Sequence, residues 1–483
     1  MNTKVIILIV ISIFAVRYLF LPGFIPTHDG EYHVIRFWQF EKMLRAGDLF
    51  PTWAPDLNSG YGLPLFYYHY PMPNYFGVLF HSLGFSYTDS FKLTLASAYI
   101  LAVLFFYLWS RSFWATILFG WTPYWFVNLF VRGSIGEVMA MAGLAFVLWA
   151  NASRRNILTA LGVAFIILSH NIAAMLFVPL VLLLNWRSTF FGMLLSSYFW
   201  LPAIAGSAYI QGLSNINIAD HFSEISQLII PSWGTGFSQS GALHDEMSQQ
   251  LGLGSMLVGF AAMPQSLILV FLAFMTTAGS RFIWNTFPFL QFVQYPWRLL
   301  MFVPFVVGTL AKRLPRRFAI AVAVISVLAA LPYTKPTTYE PRDDNYYLSR
   351  REFTDGTSSL GNSMSTRWTP WKRSRANQKI EIIEGDGSIQ RNELEPTKYG
   401  FTIDAQSPIT VRLNTVYFPG WEARFDNQWQ PLESDSDGLM RMWLPAGRTQ
   451  IQVELHNSGL RQVALIISLV SFIWLLGSGI LKK

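Results

Sequence analysis

The chain of 483 residues has no cysteine, which excludes disulfides and thiolate metal sites and leaves the redox compartment open. Charge is scarce too: Asp, Glu, Lys and Arg make up 13% of it, against about 25% in an average soluble domain. Acidic groups are the rarer sign, 28 against 35 basic, for a net charge of +7. The signatures of soluble enzymes are missing: there is no P-loop, G-x-G-x-x-G, G-x-S-x-G or H-E-x-x-H. What abounds is apolar sequence, 52% of the chain, in long uncharged runs. A membrane-spanning helix needs about 20 mostly apolar residues, and many windows qualify. The fold class is therefore a polytopic α-helical membrane protein.

About twelve spans are expected, near 5–22, 88–110, 113–131, 135–151, 156–170, 172–185, 188–205, 250–263, 265–280, 298–311, 317–333 and 460–480. The first has a thin basic flank, Lys4 alone, and no A-x-A-like site after it, so it reads as a retained helix and not as a signal peptide. With the N-terminus inside, the basic residues Arg111, Arg154, Arg155, Arg187, Lys312, Arg313, Arg316, Arg317, Lys482 and Lys483 all fall on the cytoplasmic side. Much of the positive charge is thus topological and calls for no nucleic acid. The expected setting is a cytoplasmic (inner) membrane, with both termini cytoplasmic and loops 23–87, 206–249 and 334–459 outside. Segment 70–85, short and flanked by prolines, reads as an interfacial or re-entrant helix.

Three units follow: a transmembrane domain over 1–333, an outer domain over 334–459, and a final span with its tail over 460–483. In the outer unit, residues 400–456 alternate like strands, with turns at "FPGW", "FDNQ" and "SDSDG". This predicts a small extracytoplasmic antiparallel β domain. The polar, basic stretch 342–378 reads as a linker or groove cover, carrying Trp368 and Trp371.

Chemistry concentrates just after the first span, in "PTHDGEYHVIRF" (26–37), where His28, Asp29, Glu31, His33 and Arg36 crowd together. From Gly30 the pattern is helical. Val34, Phe37, Trp38 and Leu44 form an apolar face, and Arg36, Glu41, Lys42 and Arg45 a polar one, as in a helix lying in the membrane interface. Asp29 and Glu31 fall at its N-terminus, which favours carboxylates. A plain helix cap is the simplest account of Asp29, but a cap needs none of its titratable neighbours. Further outer-side candidates are Tyr61 and His69 in an aromatic, Pro-rich loop (59–73), Arg132 and Glu137 in "VRGSIGE", His170 in "LSHN", and Gln294 and Arg298 in "QYPWR". Charges near a membrane are costly and so mark function by default. The bland alternatives are an aromatic belt for the loop, a bend-stabilising ion pair for Arg132 and Glu137, a hydrogen-bonded core histidine for His170, and snorkelling for Arg298.

"HDGEYH", "GYGLPLFYYHYPMP", "VRGSIGE", "LSHN", "FWLPA" (199–203) and "QYPWR", in this order, resemble the GT-C superfamily of integral-membrane glycosyltransferases. Within it the chain is most similar to the prokaryotic membrane family labelled "6-pyruvoyl-tetrahydropterin synthase-related". That label names a soluble zinc enzyme whose fold has no counterpart here. The C-terminal "YFPGWEARFDNQW…LPAG" resembles the outer tail of related bacterial multi-span transferases. The resemblance implies a GT-C-like fold and a polyprenyl-phosphate-linked sugar donor. It implies a glycan, lipid or protein acceptor and transfer on the outer face. Asp29 matches the family's essential acidic position. Glu31 matches a second acid that some members use with a divalent cation such as Mg or Mn; the pair is D-x-E here, not D-x-D. Asp29 and Glu31 are thus the expected catalytic residues and tentative metal ligands. His28, His33, Arg36, Tyr61, His69, Arg132, Glu137, His170, Gln294 and Arg298 are the expected substrate contacts. Two other classes fit parts of the pattern: a flippase or transporter for lipid-linked glycans, and a non-catalytic envelope scaffold.

Overall fold

A computed structural model describes residues 3–212, 217–355, 363–369, 371–372, 374–425 and 427–477. Lys482, Lys483 and Asp426 of the "FDNQ" turn lie outside these. The chain is largely helical up to residue 355, then builds antiparallel strands, and closes on the helix Gly459–Gly477.

Helices form in every stretch expected to span, but their lengths differ. Four are long and apolar enough to cross a membrane singly: Tyr87–Ser110, Ile135–Ala152, Arg316–Tyr333 and Gly459–Gly477. These make the chain an integral membrane protein. Shorter apolar helices include Thr3–Ala15, Asn156–Ser169, Asn171–Leu184, Leu267–Thr276 and Pro296–Ala311. Outward-facing Leu183, Phe260 and Leu476 are 85%, 86% and 70% exposed, as side chains facing lipid are.

Two expected spans are broken. The run over 113–131 stops at Gly120. Pro123 then starts a new turn, which widens into a π-helix, Val127–Arg132. The run over 188–205 bends by 74° between Trp186–Leu195 and Ser197–Ala205. The final helix packs on the second half of that bend. Ser197 Oγ donates to the Ala464 carbonyl at 3.0 Å, and Ser468 Oγ accepts from the Tyr198 N–H at 3.0 Å. Such side-chain bonds between apolar helices supply directionality that lipid-facing contacts lack.

Nine strands follow: β1 Ile380–Glu384, β2 Gly387–Glu395, β3 Lys398–Ala405, β4 Ile409–Val416, β5 Trp421–Phe425, β6 Gln428–Pro431, β7 Glu433–Ser434, β8 Leu439–Leu444 and β9 Gly447–Leu455. They make two antiparallel sheets, in the orders β1-β4-β8-β7 and β2-β3-β9-β5-β6. Alternate residues such as Phe401, Ile403, Val411, Leu413, Ile451 and Val453 are buried in one shared core. Strands β1 and β2 precede the expected strand region. The stretch read as a linker holds the short helices Asp344–Leu348 and Glu352–Asp355. It is pinned where the Trp371 indole donates to the Asp355 carbonyl at 3.0 Å.

The sandwich core extends into segment 43–68. Trp53 meets Trp421 edge-on, centroids 5.5 Å apart, and Tyr67 meets Phe418 at 5.3 Å. Tyr61 belongs to this core, and its carbonyl accepts from the Val416 N–H at 3.0 Å. It thus helps to dock this segment on the strands.

Candidate active site

The helix Gly30–Arg45 follows the apolar helix Thr3–Ala15 after the turn Arg17–Phe20 and the loop 21–29. Half of its expected polar face is internal: Arg36 and Glu41 are each 5% exposed, whereas Lys42 is half-buried and Arg45 exposed. A guanidinium and a carboxylate cannot be buried bare, and both are hydrogen-bonded. Arg36 donates to His69 Nε2 at 2.8 Å. Glu41 accepts from the Tyr87 hydroxyl at 2.7 Å and meets His81 at 2.6 Å. The helix thus packs Arg36 and Glu41 into the protein, while Lys42 and Arg45 lie toward its surface.

Asp29 stands at the N-cap position, yet its carboxylate makes no capping bond. Thr27 Oγ1 accepts from the Gly30 N–H instead, at 3.1 Å. No hydrogen bond or ion pair to the Asp29 carboxylate occurs among the described residues. The backbone around it is held firmly. The N–H groups of His28 and Asp29 donate to the carbonyls of Val131 and Arg132 at 3.0 and 2.9 Å. This docks the loop on the π-helical turn, whose end is Gly133 with φ +63°. A Cβ at Gly133 would lie 2.2 Å from Thr27 Oγ1, so only glycine admits this approach.

The turn delivers Arg132 beside Asp29. Arg132 is buried, donates to Glu137 Oε1 at 2.9 Å and also hydrogen-bonds Asn128. Glu137 is 0% exposed. Its Oε1 also accepts from the Tyr124 hydroxyl at 2.6 Å and Asn128 Nδ2 at 3.1 Å. Its Oε2 has no hydrogen-bond partner. The Arg132 guanidinium lies over the Trp297 ring, 4.7 Å from the centroid.

The "QYPWR" stretch completes the site. Gln294, with φ 71° and ψ −47°, is the centre of a γ-turn closed by the Tyr295 N–H on the Val293 carbonyl at 2.8 Å. This is the rare, strained form of the turn. It turns the Gln294 side chain back to Arg298, which donates to Oε1 at 2.6 Å and lies 4.9 Å from the Tyr295 ring centroid. Arg298 is buried with no carboxylate in ion-pair distance among the described residues. Tyr70, Tyr295 and Arg132 each feel the charge of Asp29, and both tyrosines that of Arg298. Arg132 thus stands between the two carboxylates Asp29 and Glu137, with Arg36 acting on Asp29 and Arg298 on Glu137.

The histidines divide by burial. His28 is half-buried; its Nε2 bonds the Thr235 carbonyl at 2.7 Å, and its ring meets that of Phe237 at 4.6 Å. Burial lowers its pKa, opposed by the Thr235 bond and the Asp29 charge. His33 is sealed behind the site, 1% exposed, against Phe91. His69 accepts from Arg36, which can only donate, so its Nε2 carries no proton. Burial and the Arg36 charge hold both rings well below the usual histidine pKa. His170 caps Asn171–Leu184, its Nδ1 accepting from the Ala173 N–H at 3.1 Å, and its ring lies 5.1 Å from that of Tyr70. Burial pushes the Tyr70 hydroxyl up to about 12, against the pull of Arg36.

Glu31 points elsewhere. It pairs with Arg342, which also holds Glu340. Burial raises its carboxyl, opposed by Arg342. No group of three or more His, Asp or Glu side chains fit to hold a metal occurs among the described residues. Of the expected pair, Glu31 is held by Arg342, whereas Asp29 is not. Tyr70, Tyr295, Tyr124 and Asn128 were not singled out in the sequence. The i, i+4 spacing of Asn128 and Arg132 was the available signal.

No family model matches the chain, and no curated protein does. A solved structure that it matches is the cryo-EM structure of the arabinofuranosyltransferase AftD from Mycobacteria. The identity is 17% and the TM-score 0.44, over 69% of this chain and 26% of that one. The chain thus spans about a quarter of that protein's length, and a likeness at this level carries no inference about activity.

Proposed function

We propose that the chain is a membrane glycosyltransferase of the GT-C kind. It moves a sugar from a polyprenyl-phosphate donor to a glycan, lipid or protein acceptor at the outer face of the cytoplasmic membrane. The observation that carries this reading is the Asp29 carboxylate, without a hydrogen-bond or ion-pair partner among the described residues and close to the buried Arg132, with Arg298 buried nearby and no carboxylate within ion-pair distance of it among the described residues. A buried cation without an ion-pair partner favours an anion beside it, and a lipid phosphate is such an anion at a membrane surface. The motif resemblance assigns the same aspartate.

In this mechanism the donor phosphate lies against Arg298 and Arg132, whose planar guanidiniums suit phosphate oxygens. Asp29 takes the proton of an acceptor hydroxyl. The acceptor oxygen bonds to the anomeric carbon as the carbon–oxygen bond to phosphate breaks, and the electron pair leaves with the phosphate. The arginines stabilise the charge that develops there. A single displacement inverts the anomeric centre. Glu137 and His69 position Arg132 and Arg36 through their hydrogen bonds, and His170 packs against Tyr70. No step passes through a divalent cation.

The test is turnover of radiolabelled polyprenyl-phosphate sugars by the purified protein in detergent. A positioned base contributes about 10²–10⁴-fold, so Asp29→Asn loses about that much rate while donor binding stays. An Asp29→Asn protein as active as wild type sinks the assignment. Donor binding without turnover for any sugar or acceptor points to a transporter.

A further inference from the structure

A cavity of about 150 Å³ opens where segment 43–68, the sandwich and the start of the last helix meet. Tyr67, Tyr209 and Phe418 form its aromatic walls, and Asn457, Ser458 and Arg461 its polar floor. A smaller aromatic cleft adjoins it and shares Thr52, Tyr67 and Arg461. We infer that this cavity binds one sugar unit of a neutral glycan acceptor. The acceptor role rests on the transferase reading above; the binding chemistry does not.

Three observations favour a neutral sugar over an anionic headgroup. First, both terminal nitrogens of Arg461 are already engaged by neutral acceptors, the Asn457 side chain and the Phe50 carbonyl. Second, the lining carries the Asn457 amide and the Ser458 hydroxyl, groups that both donate and accept, as a sugar hydroxyl does. Third, the walls are rigid amphipathic rings held by one another. Tyr67 and Tyr209 meet Phe418 edge-on at 5.3 and 6.0 Å, and Tyr209 stacks on Trp368 at 5.9 Å. Ordered aromatic walls with few polar groups are the usual make-up of a small-molecule site. The volume holds several waters, enough for a ring and too little for a lipid tail.

The cavity and the candidate site share one stretch of chain: Tyr67 lines the cavity, and Tyr70, at most about 11 Å further along the backbone, feels the charge of Asp29. The stretch between them is anchored: Tyr68 donates to the Gly206 carbonyl at 2.7 Å, and its own carbonyl accepts from Asn171 at 3.0 Å.

The experiment uses the full-length protein in detergent with neutral hexasaccharides of glucose, mannose, galactose, arabinose and N-acetylglucosamine, read by ligand-observed NMR. Wild type and Asp29→Asn bind at least one of them with equal affinity. Tyr209→Ala weakens that binding about tenfold or more, and Tyr209→Phe, which keeps the ring, retains it. Thermal unfolding checks that Tyr209→Ala is folded, and Asn457→Ala gives an independent loss. The inference is overturned if no neutral hexasaccharide binds, or if Tyr209→Ala and Asn457→Ala bind like wild type. It is overturned too if phosphatidylglycerol micelles occupy the site in a way that Arg461→Gln abolishes. Sugar binding without turnover on any donor keeps the cavity and removes the transferase. Turnover with an acceptor KM unchanged in Tyr209→Ala does the reverse.

Discussion

The Asp29 N–H donates to the Arg132 carbonyl at 2.9 Å, joining two residues more than a hundred positions apart. The bond is between main chains, so it places the carboxylate of one beside the guanidinium of the other without using up either side chain. Arg132 donates from Nη1 alone to Glu137 and Asn128, and the Asp29 carboxylate accepts no hydrogen bond among the described residues.

That placement depends on Gly133. Its φ of +63° and the 2.2 Å approach of a built Cβ to Thr27 Oγ1 leave no room for a side chain. Gly133→Ala is expected to destabilise the protein by more than about 1 kcal/mol and to cut turnover by displacing Asp29. A melting curve in detergent together with a rate measurement checks both, and unchanged values in both would refute the argument.

Arg132 and Glu137 form a buried pair. Removing one partner strands the other, so Arg132→Met or Glu137→Leu alone should cost about 3–5 kcal/mol. The double variant Arg132→Met/Glu137→Leu should recover much of that stability while remaining inactive. Denaturant titration of the three variants measures the recovery. A double variant that turns over substrate would remove Arg132 from the mechanism.

Acid should destabilise the protein through His33 and His69. Burial and Arg36 keep both rings neutral when folded, whereas in the unfolded chain each protonates near pH 6.5. Below that value the unfolded state takes up protons the folded state refuses. Stability therefore falls as pH drops from about 6.5, by about 1.4 kcal/mol per pH unit for each ring. Above it the contribution is constant. His69→Gln leaves an acceptor for Arg36 and should lessen the slope by about one proton. Melting temperatures between pH 7 and 5 give the slopes, and equal slopes for wild type and His69→Gln would contradict this account.

The sandwich should loosen when Trp53 is removed. Trp53 is 1% exposed and packs edge-on against Trp421. Trp53→Ala should cost about 3–5 kcal/mol, felt first at the contact between segment 43–68 and the strands. Limited proteolysis should then cut within 334–459 faster than in wild type. Unchanged cleavage would place the anchoring elsewhere.

The helices, the strands of 400–456 and the helix after Gly30 were legible in the sequence, because each depends on a periodicity carried by neighbouring residues. The crowding of titratable groups at 28–36 was legible for the same reason. Strands β1 and β2 were not, since "IEIIE" and "GSIQRNELE" expose much of their length and pair with strands whose burial defines the face. The breaks in 113–131 and 188–205 escaped a reading by composition, which counts apolar residues and not turns.

Partner choice was decided by tertiary structure. Glu31 pairs with Arg342, 311 residues on, Arg36 with His69, and Tyr61 with the sandwich. Asp29 gives up the cap because Thr27, two residues before it, reaches the Gly30 N–H instead. The physical reason is common to all four. The energy of burying an ionisable or aromatic side chain depends on what the folded path brings against it. Sequence by itself determined which residues carried the charge and the rings. Only the assembled chain decided which of them were satisfied and which were left free to act.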